Sequence, residues 1–356
     1  MSTDALKRLG RWLLTAAILV LLVLGARTVN WAASWRALRG ASLPLLLAAS
    51  AVNVVSLMAK GTMWWMFLRP VGVRSLALAL RATVAGSALN NLLVANGGEA
   101  ARVVFVSRAS GSPSAAVLAG LLLERFFDIL GYILMVVGAA YLLRLPQAIE
   151  QWRGVALAVL AALTVLLLLI LRWSVRTTAA PSRHTASIAR IARIRRSVSR
   201  FVRSVASMVT IPRIVAAIML SMLSWVCQVA TYHLTALSVQ FPITVAGSTT
   251  TVITENLGFL VRATPGNVGV FQLVYAFTAG MLGLSADKGV AVAVLLQALQ
   301  VVPITILGML LAPEFVLRRR APRLDLTPPD GSYRPSFDVP GADVPAAGPT
   351  RRARRF

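Results

Sequence analysis

The sequence is poor in charged residues, which make up 13% of its 356 positions, whereas about 25% is typical of a soluble protein. Acids are the scarcer charged class, with 12 Asp and Glu against 36 Lys and Arg. The cations lie between apolar runs and at the chain ends, as in the cytoplasmic loops of membrane proteins. The net charge of +24 therefore indicates membrane topology rather than nucleic-acid binding.

Cysteine and histidine are too few to form a disulfide bond or a metal site of the usual kind. Cys227 is alone, so an intramolecular disulfide is excluded. His184 and His233 are far apart and lack Cys or Asp neighbours at metal-ligand spacing. The sequence also lacks the glycine–lysine loop that binds nucleotide phosphates. We therefore expect no metal and no cofactor.

Long apolar runs are abundant, since 57% of the residues are hydrophobic. A helix of about 20 apolar residues spans the hydrocarbon layer. The runs predict an all-α, polytopic membrane protein with six full spans, the first of them an uncleaved helix rather than a signal peptide. The spans are expected near residues 12–33, 43–60, 113–143, 154–173, 212–237 and 286–312.

Two further apolar stretches, residues 75–96 and 246–262, each run into a glycine-rich break that a shorter apolar arm follows. Broken backbone at membrane depth is tolerated where protein or a watery cavity satisfies it. The loop from Arg172 to Arg213 holds ten arginines and no acid, which predicts a cytoplasmic location. Both termini join it on that side only if the two stretches are re-entrant hairpins, one entering from each face.

The two halves of the chain have a similar order of apolar elements. A glycine-broken hairpin precedes a long span in each, and Glu99 and Glu124 are separated by the same interval as Gln272 and Gln297. Inverted repeats with broken helices are typical of transporters that bind substrate near the membrane centre. A chance match of apolar segments is the alternative.

Residues 1–317 are predicted to form the membrane domain. Within it, residues 183–205 have apolar and arginine faces on opposite sides of a predicted helix. Such a helix binds anionic lipid surfaces or simply fixes topology. Residues 318–356 are rich in Pro, Gly, Asp and Arg, which predicts a disordered cytoplasmic tail.

Ionisable residues in the predicted span 113–143 are the strongest functional signal. Glu124 and Asp128 are four residues apart and so share a helix face, with Arg125 beside them. Each ionised group at a helix centre costs about 2.5–3.5 kcal/mol on insertion scales. Two carboxylates on one face repel, so either Arg125 lies between them or one carries a proton. A purely structural ion pair is the alternative to a functional site.

Both breaks add polar groups that we predict to bind or translocate a substrate. Glycines expose backbone amides, and a helix that restarts at the break points its positive end toward the turn. The alternative is a capping acid with a structural ion pair. The first set is Asn91, Asn96, Gly97, Gly98, Glu99 and Arg102. The second set is Glu255, Asn256, Arg262, Pro265, Gly266, Asn267, Gly269 and Gln272.

Three motifs in order, NGGEAAR at 96–102, LLLERFFDIL at 121–130 and ATPGNVGVFQ at 263–272, resemble the lysylphosphatidylglycerol synthase transmembrane, or flippase-like, family. The resemblance covers nearly all the chain up to about residue 312. It implies an integral protein of the bacterial inner membrane that translocates lipids or polyprenyl-linked sugars, or that forms the membrane half of an aminoacyl-phospholipid synthase.

The resemblance assigns the family's charged positions to Glu99, Arg102, Glu124, Arg125 and Asp128. Gln272 departs from the family pattern, because an acid often stands there, and the last span lacks a usual arginine, with Leu296 in the region. The expected function is that of a transporter rather than an enzyme, with an anionic lipid or polyprenyl phosphate as substrate and membrane lipids as partners. A non-transporting accessory protein of envelope biosynthesis is the alternative, beside the synthase half.

Overall fold

The computed structural model describes residues 31–92, 97–143, 145–178, 204–205, 207–258 and 267–317. Within these ranges the chain is helical and has no strand. Almost all of the predicted span 12–33, most of the predicted basic helix 183–205 and the predicted tail 318–356 lie outside the described residues. The protein is a polytopic helical membrane protein, as the apolar runs predict.

The helices are named here in chain order. They are α1 (Trp31–Arg39), α2 (Leu43–Leu68), α3 (Leu76–Leu92), α4 (Gly97–Ser110), α5 (Ser114–Leu142), α6 (Gln147–Glu150), α7 (Arg153–Thr178), α8 (Ile211–Ser238), α9 (Val245–Gly258), α10 (Val270–Met281) and α11 (Ala286–Leu317). A short 3-10 turn, Arg69–Val71, follows α2.

Several of these helices are long enough to cross a membrane. Those that also contain a long, strongly apolar stretch are Leu43–Val71, Arg153–Ile170, Ile211–Ser238 and Ala286–Gly308. Helix α5 has 29 residues, or about 43 Å at 1.5 Å per residue, and differs in carrying ionisable groups at its centre. The predicted limits of four spans agree with α5, α7, α8 and α11 to within a few residues.

The predicted span 43–60 is too short. Helix α2 continues to Leu68, so Lys60 lies inside the helix rather than at its end. The predicted limit coincides with this lysine, and cations are common at membrane boundaries. In the folded protein the ammonium group of Lys60 is paired with a carboxylate of α5, which allows the helix to continue.

The order of helices repeats along the chain. A long helix (α2), a broken pair (α3 and α4) and a second long helix (α5) recur as α8, the pair α9 and α10, and α11. The first helices of the two halves, α2 and α8, pack together, and Ser56 Oγ lies 2.9 Å from Ser224 Oγ at their contact. The repeated order confirms the helix breaks that the glycine-rich stretches predict.

Helices α3 and α4 pack through glycine. A Cβ placed on Gly98 would overlap the carbonyl oxygen of Gly86, and a Cβ on Gly86 would overlap the side chain of Arg102. Small residues of this kind let helix backbones approach closely within a membrane. The close approach places Arg102 of α4 against the centre of the molecule, where it is buried.

Candidate functional site

Six ionisable side chains from three elements lie together in the first half of the protein. They are Lys60 of α2, Glu99 and Arg102 of α4, and Glu124, Arg125 and Asp128 of α5, and we call them the charged cluster. Three cations and three anions make it formally neutral. Such groups in a membrane interior need partners or water, and here each has at least one ionic partner.

Arg102 and Glu124 form the sealed part of the charged cluster. Arg102 Nη2 donates to Glu124 Oε2 at 2.9 Å, and the two side chains are only 4% and 2% exposed. The guanidinium also donates to Thr83 Oγ1 at 3.2 Å and lies 4.2 Å from the ring centroid of Trp64. A buried charge pair needs such additional contacts to offset its desolvation. This pair therefore fixes α4 against α5 and α2.

Lys60, Arg125 and Asp128 form the open part. The ammonium group of Lys60 lies 3.0 Å from Asp128 Oδ1, and Arg125 Nη1 lies 3.9 Å from Asp128 Oδ2. Arg125 also pairs with Glu99, so one guanidinium joins the broken pair to α5. The side chains of Arg125 and Lys60 are 40% and 27% exposed. Two cations of the cluster are thus accessible to a ligand.

The three charges of α5 are satisfied in a way that the sequence left open. Glu124 and Asp128 each pair with a separate cation from another helix, Arg102 and Lys60, and Arg125 contacts Asp128 as well. Trp225 of α8 supports the arrangement, since its indole N–H donates to the carbonyl of Asp128 at 3.0 Å.

The start of α4 is held by a side chain from α3. Asn90 Oδ1 accepts from the backbone N–H of Gly98 at 2.9 Å, which satisfies one of the free amides of a helix N-terminus. Glu99 follows in the first turn, where a negative charge is favoured by the helix dipole. Asn90 is thereby a positioning residue for the charged cluster.

In the second half, neutral side chains link the broken pair to the long helix that follows it, where the first half uses charged side chains. Gln272 of α10 donates to Gln297 of α11 at 2.5 Å, so the pair singled out by its interval is in direct contact. The backbone N–H of Gly269 donates to the same Gln272 side chain at 2.6 Å. Gly269 has a φ of 88°, a conformation that glycine adopts without strain.

Residues at matching positions of the two halves have matching neighbours. Tyr275 stands in α10 where Arg102 stands in α4, and Tyr232 stands in α8 where Trp64 stands in α2. Tyr232 and Tyr275 are stacked with ring centroids 6.4 Å apart, and in the first half the guanidinium group of Arg102 lies over the ring of Trp64. The second half therefore keeps the packing of the charged cluster and lacks its cation at this position.

The remaining predicted site residues have separate surroundings. Asn91 is half-buried and Gly97 begins α4. Asn256 donates to Val252 O within its own helix at 2.8 Å, and Asn267 is buried with a positive φ of 56°. Asn96, Arg262, Pro265 and Gly266 lie outside the described residues.

Two sets of site residues are missing from the sequence-based prediction. Lys60 is the last residue of the predicted span 43–60, although a single lysine within the apolar run 43–68 is itself the signal for a paired charge. Tyr232 and Tyr275 lie near Glu255 in the second half, and Gln300 lies beside the hydroxyl of Tyr232. Their positions on three separate helices give no common pattern in the sequence.

The family match agrees with the geometry. Residues 11–308 match the model of one protein family, described as the lysylphosphatidylglycerol synthase TM region. The chain belongs to this family. No curated protein matches the sequence. The matched range contains the charged cluster, both helix breaks and the long helices that carry them, so the lysylphosphatidylglycerol synthase TM region corresponds to the repeated membrane fold.

Proposed function

We propose that the protein is a flippase-type transporter that moves an anionic lipid or a polyprenyl-phosphate-linked amphiphile across the bacterial inner membrane, with both termini cytoplasmic. The observation that supports this function most strongly is the open part of the charged cluster. Arg125 and Lys60 expose 40% and 27% of their side chains although both belong to long helices made mostly of apolar residues.

A purely structural charge pair does not need that exposure. Arg102 and Glu124 demonstrate the structural solution in the same cluster, with exposures of 4% and 2%. Exposed cations at membrane depth mark a path for charged groups. Because the cluster is formally neutral, an anionic headgroup binds by displacing a carboxylate from its cation, and the lipid tails remain in the bilayer.

Displacement at Arg125 couples binding to movement. Arg125 is paired with Glu99 on α4 and with Asp128 on its own helix. A phosphate accepts two parallel hydrogen bonds from a guanidinium as a carboxylate does. A headgroup that replaces Glu99 breaks the ionic link between α4 and α5, and this change favours a second arrangement of the broken pair. Apart from the substrate itself, this mechanism requires only the surrounding membrane lipids as partners.

Reconstitution in liposomes tests the proposal. Labelled anionic phospholipid or polyprenyl phosphate is placed in both leaflets, and an impermeant quencher reports the fraction that reaches the outer leaflet. We expect wild-type protein to accelerate exchange, and Lys60→Gln and Arg125→Gln to lose most of that acceleration. The matched control is Arg108→Gln, which removes an exposed arginine of α4 outside the cluster.

Equal rates in wild-type, Lys60→Gln and Arg125→Gln protein would contradict the role given to the two cations. Folded wild-type protein that accelerates neither substrate would favour a non-transporting accessory role in envelope biosynthesis. Product formation from aminoacylated donor and phospholipid, measured on the same sample, would instead support an enzyme.

A further inference from the structure

A buried carboxyl group lies in the second half of the protein, away from the charged cluster. Glu255 of α9 is 1% exposed, and its Oε1 has no hydrogen-bond partner within the described part of the chain. The hydroxyl of Tyr275 is likewise unpaired there, and the side chain is also 1% exposed. Two buried polar groups without hydrogen-bond partners indicate a site that binds a group from outside the described part of the chain.

Among the residues that the structure describes, the titratable side chains that lie close to Glu255 are neutral tyrosines. Tyr232 of α8 and Tyr275 of α10 lie within electrostatic range of the carboxyl group. The hydroxyl of Tyr232 lies beside the side-chain amides of Gln228 and Gln300. We call these five residues the neutral cluster.

Other titratable groups contact α9 at a distance from the carboxyl group. Tyr132 of α5 donates to the backbone carbonyl of Ile253 at 3.0 Å, and His233 of α8 lies 3.1 Å from Ser248 Oγ. Within the described ranges, no lysine or arginine forms an ion pair with Glu255.

These surroundings favour the protonated form of the carboxyl group. An ionised carboxylate that is buried without a cation is far more costly than a neutral carboxyl group. The protonated group has one O–H donor and keeps acceptor capacity, which matches tyrosine hydroxyls that both donate and accept. The charged form requires contact with water, and a carboxyl group that is 1% exposed gains that contact only if the helices around it move apart.

The comparison of the two halves gives this group a role. Where the first half has Lys60, Trp64 and Arg102, the second has Gln228, Tyr232 and Tyr275 at matching positions. One half of the repeat thus holds fixed charges, and the other holds a carboxyl group whose charge depends on access to water.

We propose that Glu255 is the group of the transporter that carries a proton. The other four residues of the neutral cluster form the environment in which the proton is held. The inference rests on the proposed transport function and adds the coupling ion to it. The carboxyl O–H bond breaks when the site opens to one side, and the proton passes to water. The carboxylate then takes a proton from water on the other side, so no bond other than O–H changes.

Infrared spectroscopy of the full-length protein in lipid nanodiscs tests whether Glu255 holds a proton. We expect the wild type at neutral pH to show the carbonyl band of a neutral carboxylic acid that Glu255→Gln lacks. Glu150→Gln, which removes an exposed carboxylate, retains the band, and Tyr275→Phe shifts its frequency because a polar hydroxyl group near the carboxyl group is lost. An identical neutral-acid band in wild-type and Glu255→Gln protein would overturn the proposal.

Transport with an imposed pH gradient tests the coupling. We expect the ratio of lipid translocation rates with and without the gradient to exceed one in the wild type and in Glu255→Asp, which keeps the carboxyl group, and to fall to one in Glu255→Gln. Lipid movement that ignores the pH gradient, or that a sodium gradient drives instead, would overturn the proton assignment and leave the transport function standing. A wild type that moves no lipid would overturn the transport function, while the infrared band would still report the proton on Glu255.

Discussion

The sealed pair Arg102–Glu124 and the open pair Lys60–Asp128 should respond differently to the loss of one partner. Glu124→Gln leaves the guanidinium of Arg102 without a carboxylate at a position where it is 4% exposed. Breaking a buried pair in this way costs about 3–5 kcal/mol, against a total stability of about 5–15 kcal/mol for a typical domain. The loss is a large fraction of that total, so we expect Glu124→Gln to have a markedly lower unfolding midpoint than the wild type.

A variant without either charge tests whether the instability of Glu124→Gln comes from the unpaired charge of Arg102. Replacement of a buried ion pair by apolar residues of similar volume is often neutral or stabilising, so Arg102→Met combined with Glu124→Leu should recover most of the stability that Glu124→Gln loses. Asp128→Asn should cost less than Glu124→Gln, because Lys60 is 27% exposed and water can solvate its ammonium group.

Thermal unfolding in detergent, followed by tryptophan fluorescence, measures all four proteins, and the amount of protein in the membrane provides a second readout. A midpoint for Glu124→Gln equal to that of the wild type would refute the sealed pair as a structural element. So would a double variant that is as unstable as the single one.

Three further predictions concern the hairpins and the basic segment. Gly98→Ala should lower the unfolding midpoint, because its Cβ meets backbone, whereas Gly138→Ala, which meets nothing within 4 Å, should be neutral or raise it; equal effects would contradict the close helix approach. A cysteine at Ser110 in a Cys227→Ala background should react with an impermeant reagent from the cytoplasmic side, and labelling only from outside would contradict a re-entrant first hairpin. A peptide of residues 183–205 should become helical, by circular dichroism, on anionic vesicles and not on neutral ones, with the effect weakening as salt rises; no difference between the two would leave the segment a topological loop.

The helical fold is largely readable from the sequence because the bilayer restricts the possible structures. Backbone polar groups in lipid must be satisfied within a helix, so apolar run length alone predicts α5, α7, α8 and α11. The predicted helix limit at residue 60 was wrong because the hydropathy of the run gives no information about the partner of Lys60. That partner, Asp128, lies 68 positions away in the chain.

The candidate site is readable in part. Acids are rare in the apolar part of the chain, and Glu99, Glu124 and Asp128 were found by that rarity. Their pairing was not, because Glu124 bonds to Arg102 of α4 rather than to its neighbour Arg125. The tyrosines near Glu255 are not predicted from the sequence, because a tyrosine in an apolar helix is usually a packing residue.

The most direct test of the account is the rate at which purified wild-type protein exchanges two lipids with identical tails between the leaflets of a liposome. One lipid has an anionic headgroup and the other a zwitterionic headgroup. The account predicts faster exchange of the anionic lipid, with the preference reduced in Arg125→Gln because a cation accessible to the headgroup is lost. Equal exchange of both lipids by folded wild-type protein, or exchange no faster than in protein-free liposomes, would contradict it.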